Sequence, residues 1–240
     1  MAAFVEKSSL PEARSFETWK AGLAIVAGLS LLLLCASIGQ DLTLYVGSNP
    51  DLSAKVWLLD VDVEQSAFTW ISVLSLFFAA GLLFVAAADA SSRRDPFKWH
   101  WYFLALLFLL LSFDEFCGIH EKVSSALGSR MNNSGLLYFA WAAPAGVLSL
   151  AGLIAYMPFI RALPPKIGML FLLSAALFLS GAVILEMFGG SVAEAESVES
   201  VRYRILTNME EGLELAGILA FIYGLLRYRE GHFRSRRHTF

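Results

Sequence analysis

The chain has little charge: Asp, Glu, Lys and Arg make up only 16% of its 240 residues, against about 25% in an ordinary soluble domain. It has only two cysteines, Cys35 and Cys117, and both lie in apolar stretches, so we expect no disulfide. It lacks a phosphate loop, a nucleophile elbow and the HExxH motif of zinc proteases. Nothing in the composition supports nucleic-acid binding. These absences exclude an ordinary soluble domain and the enzyme classes that those motifs mark.

Long apolar runs are what the chain has instead. Apolar residues make up 57% of it, and its mean hydropathy is +0.62. A membrane-spanning helix needs about 20 mostly apolar residues. Six stretches qualify, at roughly 19–40, 66–89, 97–119, 136–160, 166–189 and 205–226. They leave little sequence over, so we expect an all-α, polytopic bundle of six transmembrane helices in a single membrane domain (1–240).

The basic residues predict how this bundle is oriented. Cytoplasmic loops carry an excess of Lys and Arg, and with the N-terminus inside, thirteen basic residues fall on the inner side and five on the outer side. The inner ones are Lys7, Arg14, Lys20, Arg93, Arg94, Lys98, Arg161, Lys166, Arg227, Arg229, Arg234, Arg236 and Arg237. The outer ones are Lys55, Lys122, Arg130, Arg202 and Arg204. Both termini are therefore predicted to be cytoplasmic.

Ionisable side chains interrupt the ends of three of these stretches. Such groups are costly in a bilayer and are usually functional. They are Asp114, Glu115, His120 and Glu121 in the third stretch, Glu186 in the fifth, and Glu210, Glu211 and Glu214 in the sixth. With the predicted orientation all of them lie at the outer side. The sequence thus predicts one acidic cluster just below or at the outer surface.

Helical geometry indicates which side chains of the third stretch share a face. Residues of a helix advance by about 100° each, so Asp114, Cys117, His120 and Glu121 fall within an arc of roughly 120°. Glu115 is predicted to point elsewhere.

The other two stretches supply the remaining sides of the cluster. Glu210, Glu211 and Glu214 fall within an arc of roughly 100°. Clustered carboxylates repel one another, and a divalent cation would neutralise them. Carboxylate together with imidazole suits Zn, Fe or Mn. We therefore predict a bound divalent metal. Glu186 or Glu210 would be a further ligand or the general base, and the predicted ligands are Asp114, His120, Glu121, Glu211 and Glu214.

Several of these acids also have a purely structural interpretation, whereas Asp114 and Glu214 are harder to explain in that way. Glu121 ends a helix and would be solvated there. Glu210 and Glu211 lie near a helix N-terminus, where acids complement the helix dipole. Arg202 and Arg204 would pair with them from the preceding turn.

An acidic segment before the second stretch adds a further candidate. Val56 to Trp70 alternates apolar and acidic residues, which indicates a short extended or amphipathic piece across the mouth of the bundle. Asp60, Asp62 and Glu64 would then lie over the cluster as a vestibule that attracts cations. A solvated acidic loop is the alternative.

The combination of Asp114-Glu115, His120-Glu121 and Glu210-Glu211-x-x-Glu214 resembles a group of bacterial multi-span membrane proteins of unassigned function. The resemblance covers most of the chain and implies no activity. It implies a bacterial inner membrane, with the cluster facing the periplasm.

Three functional hypotheses follow. The first is a metal-dependent membrane enzyme that acts on a lipophilic substrate entering from the outer leaflet. The second is a non-catalytic subunit of a larger membrane protein complex, in which the acids join helices or meet a basic partner. The third is a cation or proton carrier, although no acid lies in the inner half of any stretch.

Overall fold

A computed structural model describes residues 10–46, 52–128 and 133–237. Over these residues the chain is all-α, with eight α-helices, short 3-10 turns and one π segment. The helices are α1 (Leu10–Leu44), α2 (Ala67–Ser92), α3 (Lys98–Cys117), α4 (Ile119–Gly128), α5 (Ala142–Ala162), α6 (Pro165–Leu179), α7 (Glu186–Ala195) and α8 (Val201–Arg237). The π segment (Ser180–Leu185) joins α6 to α7 without a break.

Local chemistry explains where several of these helices begin and end. The Ser66 hydroxyl caps α2 by accepting a hydrogen bond from the Thr69 amide at 3.0 Å, as an N-cap serine does. α6 begins at Pro165, where a missing amide hydrogen costs nothing. α3 ends because Gly118 is left-handed, with φ +56°, the usual C-terminal stop of a helix.

Five helical segments of the described residues are long and apolar enough to cross a membrane. They are Thr18–Leu44, Ala67–Ser92, Lys98–Cys117, Ala142–Ala162 and Pro165–Ala195. The all-helical membrane class is therefore confirmed. The sixth predicted stretch, 205–226, lies inside α8, but α8 carries Glu210, Glu211 and Glu214 in its N-terminal half and is not among the five.

The acidic segment before α2 differs from its prediction. It forms a 3-10 turn at Trp57–Leu59 followed by further turns instead of an extended piece. Val61, one of its apolar residues, is buried in the core. The alternation therefore does not mark a strand, and it does not match burial either, because Asp60 is buried while Trp57 and Leu58 are exposed.

α8 is the central helix. It packs against α1, α2, α6, α7 and the π segment, while α2 and α3 form a closely packed pair. The core is rich in aromatic rings, including Trp101, Phe159, Phe171 and Phe221. Large apolar side chains also cover the outside, such as Leu148 at 72% exposed. Apolar surface on this scale is expected where the surrounding solvent is lipid.

Candidate metal centre

The acidic residues of different helices line one cavity of about 270 Å³. Of the described residues, seven acids and one histidine line its walls, with no Lys or Arg among them. The acids are Asp62, Glu64, Glu115, Glu121, Glu186, Glu210 and Glu211. The structure thus brings together five of the seven predicted site residues, namely His120, Glu121, Glu186, Glu210 and Glu211.

His120 reaches this cavity because the third stretch does not continue as one helix. The left-handed Gly118 separates α3 from α4, and His120 lies in the first turn of α4. The Asp114 carboxylate accepts a hydrogen bond from the His120 amide at 3.0 Å and lies 2.9 Å from the imidazole Nδ1. Both contacts hold the ring in one orientation and leave Nε2 as the nitrogen that can bind a ligand.

Asp114 therefore lies behind His120, although its sequence position predicts a ligand beside it. Asp114 is not among the residues that line the cavity. A carboxylate on the second imidazole nitrogen is the usual support of a metal-binding histidine. Burial favours the neutral ring, but the hydrogen bond to Asp114 and the charges of Asp114, Glu115 and Glu121 raise the pKa of His120 to about 9.

Glu64 completes the tightest group of ligand-type atoms. One such atom from each of Glu64, His120 and Glu121 lies within 4.8 Å of the other two. The Glu64 Oε2 atom is buried and has no hydrogen-bond partner among the described residues. Burial, and then the charge of Glu121, raise the pKa of the Glu64 carboxyl above its usual range. The sequence places Glu64 over the site but does not mark it as a ligand.

Glu115 also lines the cavity, so the prediction that it points elsewhere is wrong. That prediction treats residues 114–121 as one helix, so that Asp114 and Glu121 share a face. The break at Gly118 changes the direction of the chain, and α3 and α4 present different faces to the cavity.

Glu186 and Glu210 lie on the facing wall of the cavity. The Trp141 indole N–H donates to Glu186 Oε1 at 2.7 Å, and its ring lies 5.1 Å from that of His120. Trp141 thus connects the two walls, and only the aromatic cluster at 138–141 marks it in the sequence.

The π segment lies in close contact with α8 just before Glu186. A Cβ on Gly181 would lie 2.6 Å from the Glu210 carbonyl oxygen and 2.8 Å from Glu214 Cγ, so only glycine permits this approach to α8. The wider π turn then leads directly into Glu186 at the start of α7. Such π turns often occur at functional sites.

Glu211 lines the cavity, whereas Glu214 lies one turn deeper on α8 and does not. Glu214 packs against Gly181. Neither belongs to the group formed by Glu64, His120 and Glu121. Of the five predicted ligands, only His120 and Glu121 are in that group.

A largely buried ion network adjoins the cavity and shares Asp62 with it. Arg204 contacts Asp41, Asp60 and Asp62, and Lys55 also pairs with Asp60. Burial opposes the charge on Arg204, but the charges of Asp62, Asp60 and Asp41 raise its pKa. Burial raises the pKa of Asp62 to about 6 despite Arg204. This network joins α8 to α1 and to the loop before α2.

The interpretation that Arg202 and Arg204 neutralise Glu210 and Glu211 is therefore wrong. Arg204 forms ion pairs with three aspartates, and Arg202 forms one with Glu196. Within the part of the chain that the structure describes, no Lys or Arg forms a salt bridge with any glutamate of the cavity.

The fold and the cavity define a class: an all-helical membrane protein with a carboxylate-rich cavity that contains one histidine. The chain belongs to the family described as "Domain of unknown function (DUF8692)", whose match covers residues 23–228. Neither the curated proteins nor the solved structures contain a match to it.

Proposed function

We propose that this protein is a membrane enzyme that binds a divalent metal, Fe, Mn or Zn, through Glu64, His120 and Glu121. The observation that carries the proposal is the close approach of their ligand atoms, within 4.8 Å of one another. The buried Oε2 of Glu64, which has no hydrogen-bond partner among the described residues, adds to it. Two carboxylates and one imidazole are a donor set that these metals accept.

Charge is the physical argument for a cation. Six glutamates line the cavity and have no basic partner among the described residues, so His120 is the one cationic group that these residues place on its walls. A single imidazolium would offset one of the six carboxylates, and even that charge is lost when the imidazole binds a metal. A divalent ion would remove much of the remaining repulsion.

The facing wall supplies groups for acid–base chemistry. A bound metal would act as a Lewis acid toward water, and activation of dioxygen would require a redox-active ion, Fe or Mn, because Zn has no redox chemistry. Glu186 and Glu210 both line this cavity, so either carboxylate is placed to accept a proton from a reacting group and to return it. Asp114 orients His120 and is a positioning residue.

The proposed enzyme crosses the inner membrane of a bacterium six times, with α8 as the sixth span and both termini cytoplasmic. The distribution of basic residues supports this orientation, and the resemblance to bacterial multi-span proteins supports the compartment. The cavity then opens toward the periplasm, where a lipophilic substrate would enter from the outer leaflet.

A carrier is a weaker proposal because the path below the cavity is apolar. The space deeper in the bundle is lined mainly by Leu and Phe side chains. These side chains cannot replace the hydration shell that an ion would have to lose there. A non-catalytic subunit of a larger complex stays an alternative, which metal analysis separates from the enzyme.

The test is metal analysis of the detergent-purified protein. We expect one Fe, Mn or Zn ion per chain. Loss of an outer-shell partner weakens metal binding by about 10–100-fold. Loss of a direct ligand, in His120→Ala or Glu64→Gln, should weaken it by more than that. Glu199→Gln is the matched control, since Glu199 is exposed and does not line the cavity.

Two results would contradict the proposal. Wild-type protein that contains no metal after purification without chelators, and that takes none up, has no metal centre. If such protein also co-purifies with a stable complex, the subunit hypothesis replaces the enzyme.

A further inference from the structure

A second cavity lies deeper in the bundle. It is a groove of about 350 Å³ between α3 and α5, with α6 and α8 behind it. Of the described residues, only Ser149, Tyr156 and Ser174 bring polar side-chain atoms to its lining. The Tyr156 hydroxyl donates to the His100 carbonyl and the Ser174 hydroxyl to that of Phe171, so these two need no ligand or water. The groove is therefore suited to hydrocarbon.

On α8 the groove and the acidic cavity follow one another along a single face. Glu211 lines the cavity, and Ile218 and Phe221 line the groove. Ile218 and Phe221 follow Glu211 by seven and ten residues, which is close to two and three helical turns. Glu214 lies between the two cavities on the same helix.

The same order recurs on α3 and at the start of α5. On α3, Glu115 lines the cavity, and Leu111, one turn deeper, lines the groove. Trp141 lines the cavity, and Leu148, seven residues later, lines the groove. The separation along each helix is roughly 6–10 Å, at about 1.5 Å per residue.

The segment from α6 to α7 repeats the pattern in the opposite chain direction. Leu179 lines the groove, and Glu186, seven residues later, lines the cavity. Four helical elements therefore place the groove directly beneath the acidic cavity, along the direction in which the helices cross the membrane.

We propose that the acidic cavity and the groove form one binding site for an uncharged single-chain amphiphile such as a fatty alcohol, whose hydrocarbon tail fills the groove while its oxygen-bearing head reaches the metal. This inference rests on the proposed function and names the substrate class of that site. A metal ion in the cavity would offer such a head group a ligand position.

The dimensions of the groove favour one chain over two. Its volume of about 350 Å³ is near the lower end of ligand pockets. Its lining on α5 runs from Leu148 to Ile160, roughly 18 Å along the axis. A narrow, long and apolar space of this kind accepts one extended tail, whereas a phospholipid would have to leave its second tail outside.

Gly152 allows a direct test. It lines the groove, and a Cβ there would meet no described atom within 4 Å, so Gly152→Phe fills the groove without a clash at the backbone. Gly81 is the matched control because it lies on the exposed face of α2 and also has no described atom within 4 Å. The same glycine-to-phenylalanine change at Gly81 leaves the groove open.

The experiment is photolabelling of the purified protein in phosphatidylcholine nanodiscs. The probe is 1-hexadecanol with a diazirine in its chain, and the labelled peptides are mapped by mass spectrometry. We expect labelling of the groove-lining parts of α3, α5 and α6, unchanged in Gly81→Phe and lower by about tenfold in Gly152→Phe, the effect of about 1.4 kcal/mol. Phosphatidylcholine is in large excess, so a groove that prefers bulk lipid leaves the probe out, which overturns the proposal.

Metal content measured on the same samples separates the two proposals. Metal in all three proteins, with labelling lost only in Gly152→Phe, supports both. Metal in all three with equal labelling overturns the amphiphile site and leaves the metal centre. Wild-type protein without metal overturns the proposed function and the coupling of tail to metal, whatever the labelling shows.

Discussion

At the scale of single residues, the structure requires glycine at position 118 for two reasons. Its left-handed conformation ends α3 and starts α4, and its missing side chain lets Glu64 approach. A Cβ at this position would lie 2.8 Å from Glu64 Oε1. The residue therefore determines both the direction of the chain into His120 and the position of a proposed ligand.

We predict that Gly118→Ala destabilises the protein by about 1–2 kcal/mol, the cost of a left-handed non-glycine residue, and also displaces Glu64. Metal affinity should fall by at least about tenfold. Gly135→Ala is the control, because Gly135 has φ +58° but no described atom within 4 Å of its Cβ position. Thermal unfolding in detergent and metal analysis measure the two effects, and equal metal retention in both variants would contradict the assignment of Glu64.

Asp114 shows how the role of a residue changes when the chain is folded. Its position at the end of an apolar run predicts a ligand, yet its carboxylate is engaged by the His120 amide and ring. The acidic character of the position is evident from the sequence. Which neighbour uses that carboxylate depends on the turn at Gly118.

At the scale of helices and loops, the Arg204 network holds α8 against α1 and the loop before α2. Asp60 and Arg204 are 144 positions apart in the chain, so no local pattern predicts their pairing. Arg204 is buried with a side chain 4% exposed, whereas the Arg202 side chain is 72% exposed. Two neighbouring arginines of the same helix thus have different roles.

We predict that Arg204→Ala lowers the free energy of unfolding by about 3–5 kcal/mol, because it leaves buried carboxylates without a partner. Arg202→Ala should change it by less than about 1 kcal/mol, as expected for an exposed pair. Chemical or thermal unfolding in detergent compares the two variants. Similar losses in both would show that the network does not hold the helices together.

The helices themselves are the most predictable elements. Hydropathy locates all six stretches, and the observed helices contain or closely overlap each predicted range. The fourth begins at Ala142, later than the predicted 136, because residues 135–137 form a 3-10 turn. The π segment is not predictable from hydropathy, since it depends on the fit of Gly181 against α8.

At the scale of the whole molecule, the proposed orientation depends on the basic residues. If the protein crosses the membrane six times with α8 as the last span, residues after α8 and those between α2 and α3 are cytoplasmic, and the cavity opens on the other side. The excess of Lys and Arg on the proposed inner side is the physical reason.

Reporter fusions in a bacterial host test this prediction. Alkaline phosphatase fused after Glu199 should be active, because that segment is proposed to lie in the periplasm. Fused after the C-terminal residue it should be inactive, while green fluorescent protein at the same place should be fluorescent. Phosphatase activity at the C-terminus would exclude an even number of spans with the N-terminus inside.

The sequence alone determined the class of the protein and where its acids would gather. Both follow from local properties: long apolar runs form spanning helices, and basic loops predict which ends of those helices lie together. Helix periodicity and charge distribution are therefore sufficient to assign Glu186, Glu210 and Glu211 to one region.

Only the tertiary structure decided which of these groups meet. Glu64 joins His120 and Glu121, Asp114 supports the histidine from behind, Glu115 enters the cavity, and Arg204 turns away from the glutamates. These arrangements depend on a break in direction at Gly118 and on contacts between distant segments. Neither helical periodicity nor charge counting contains that information, because both describe each segment as if it stood alone.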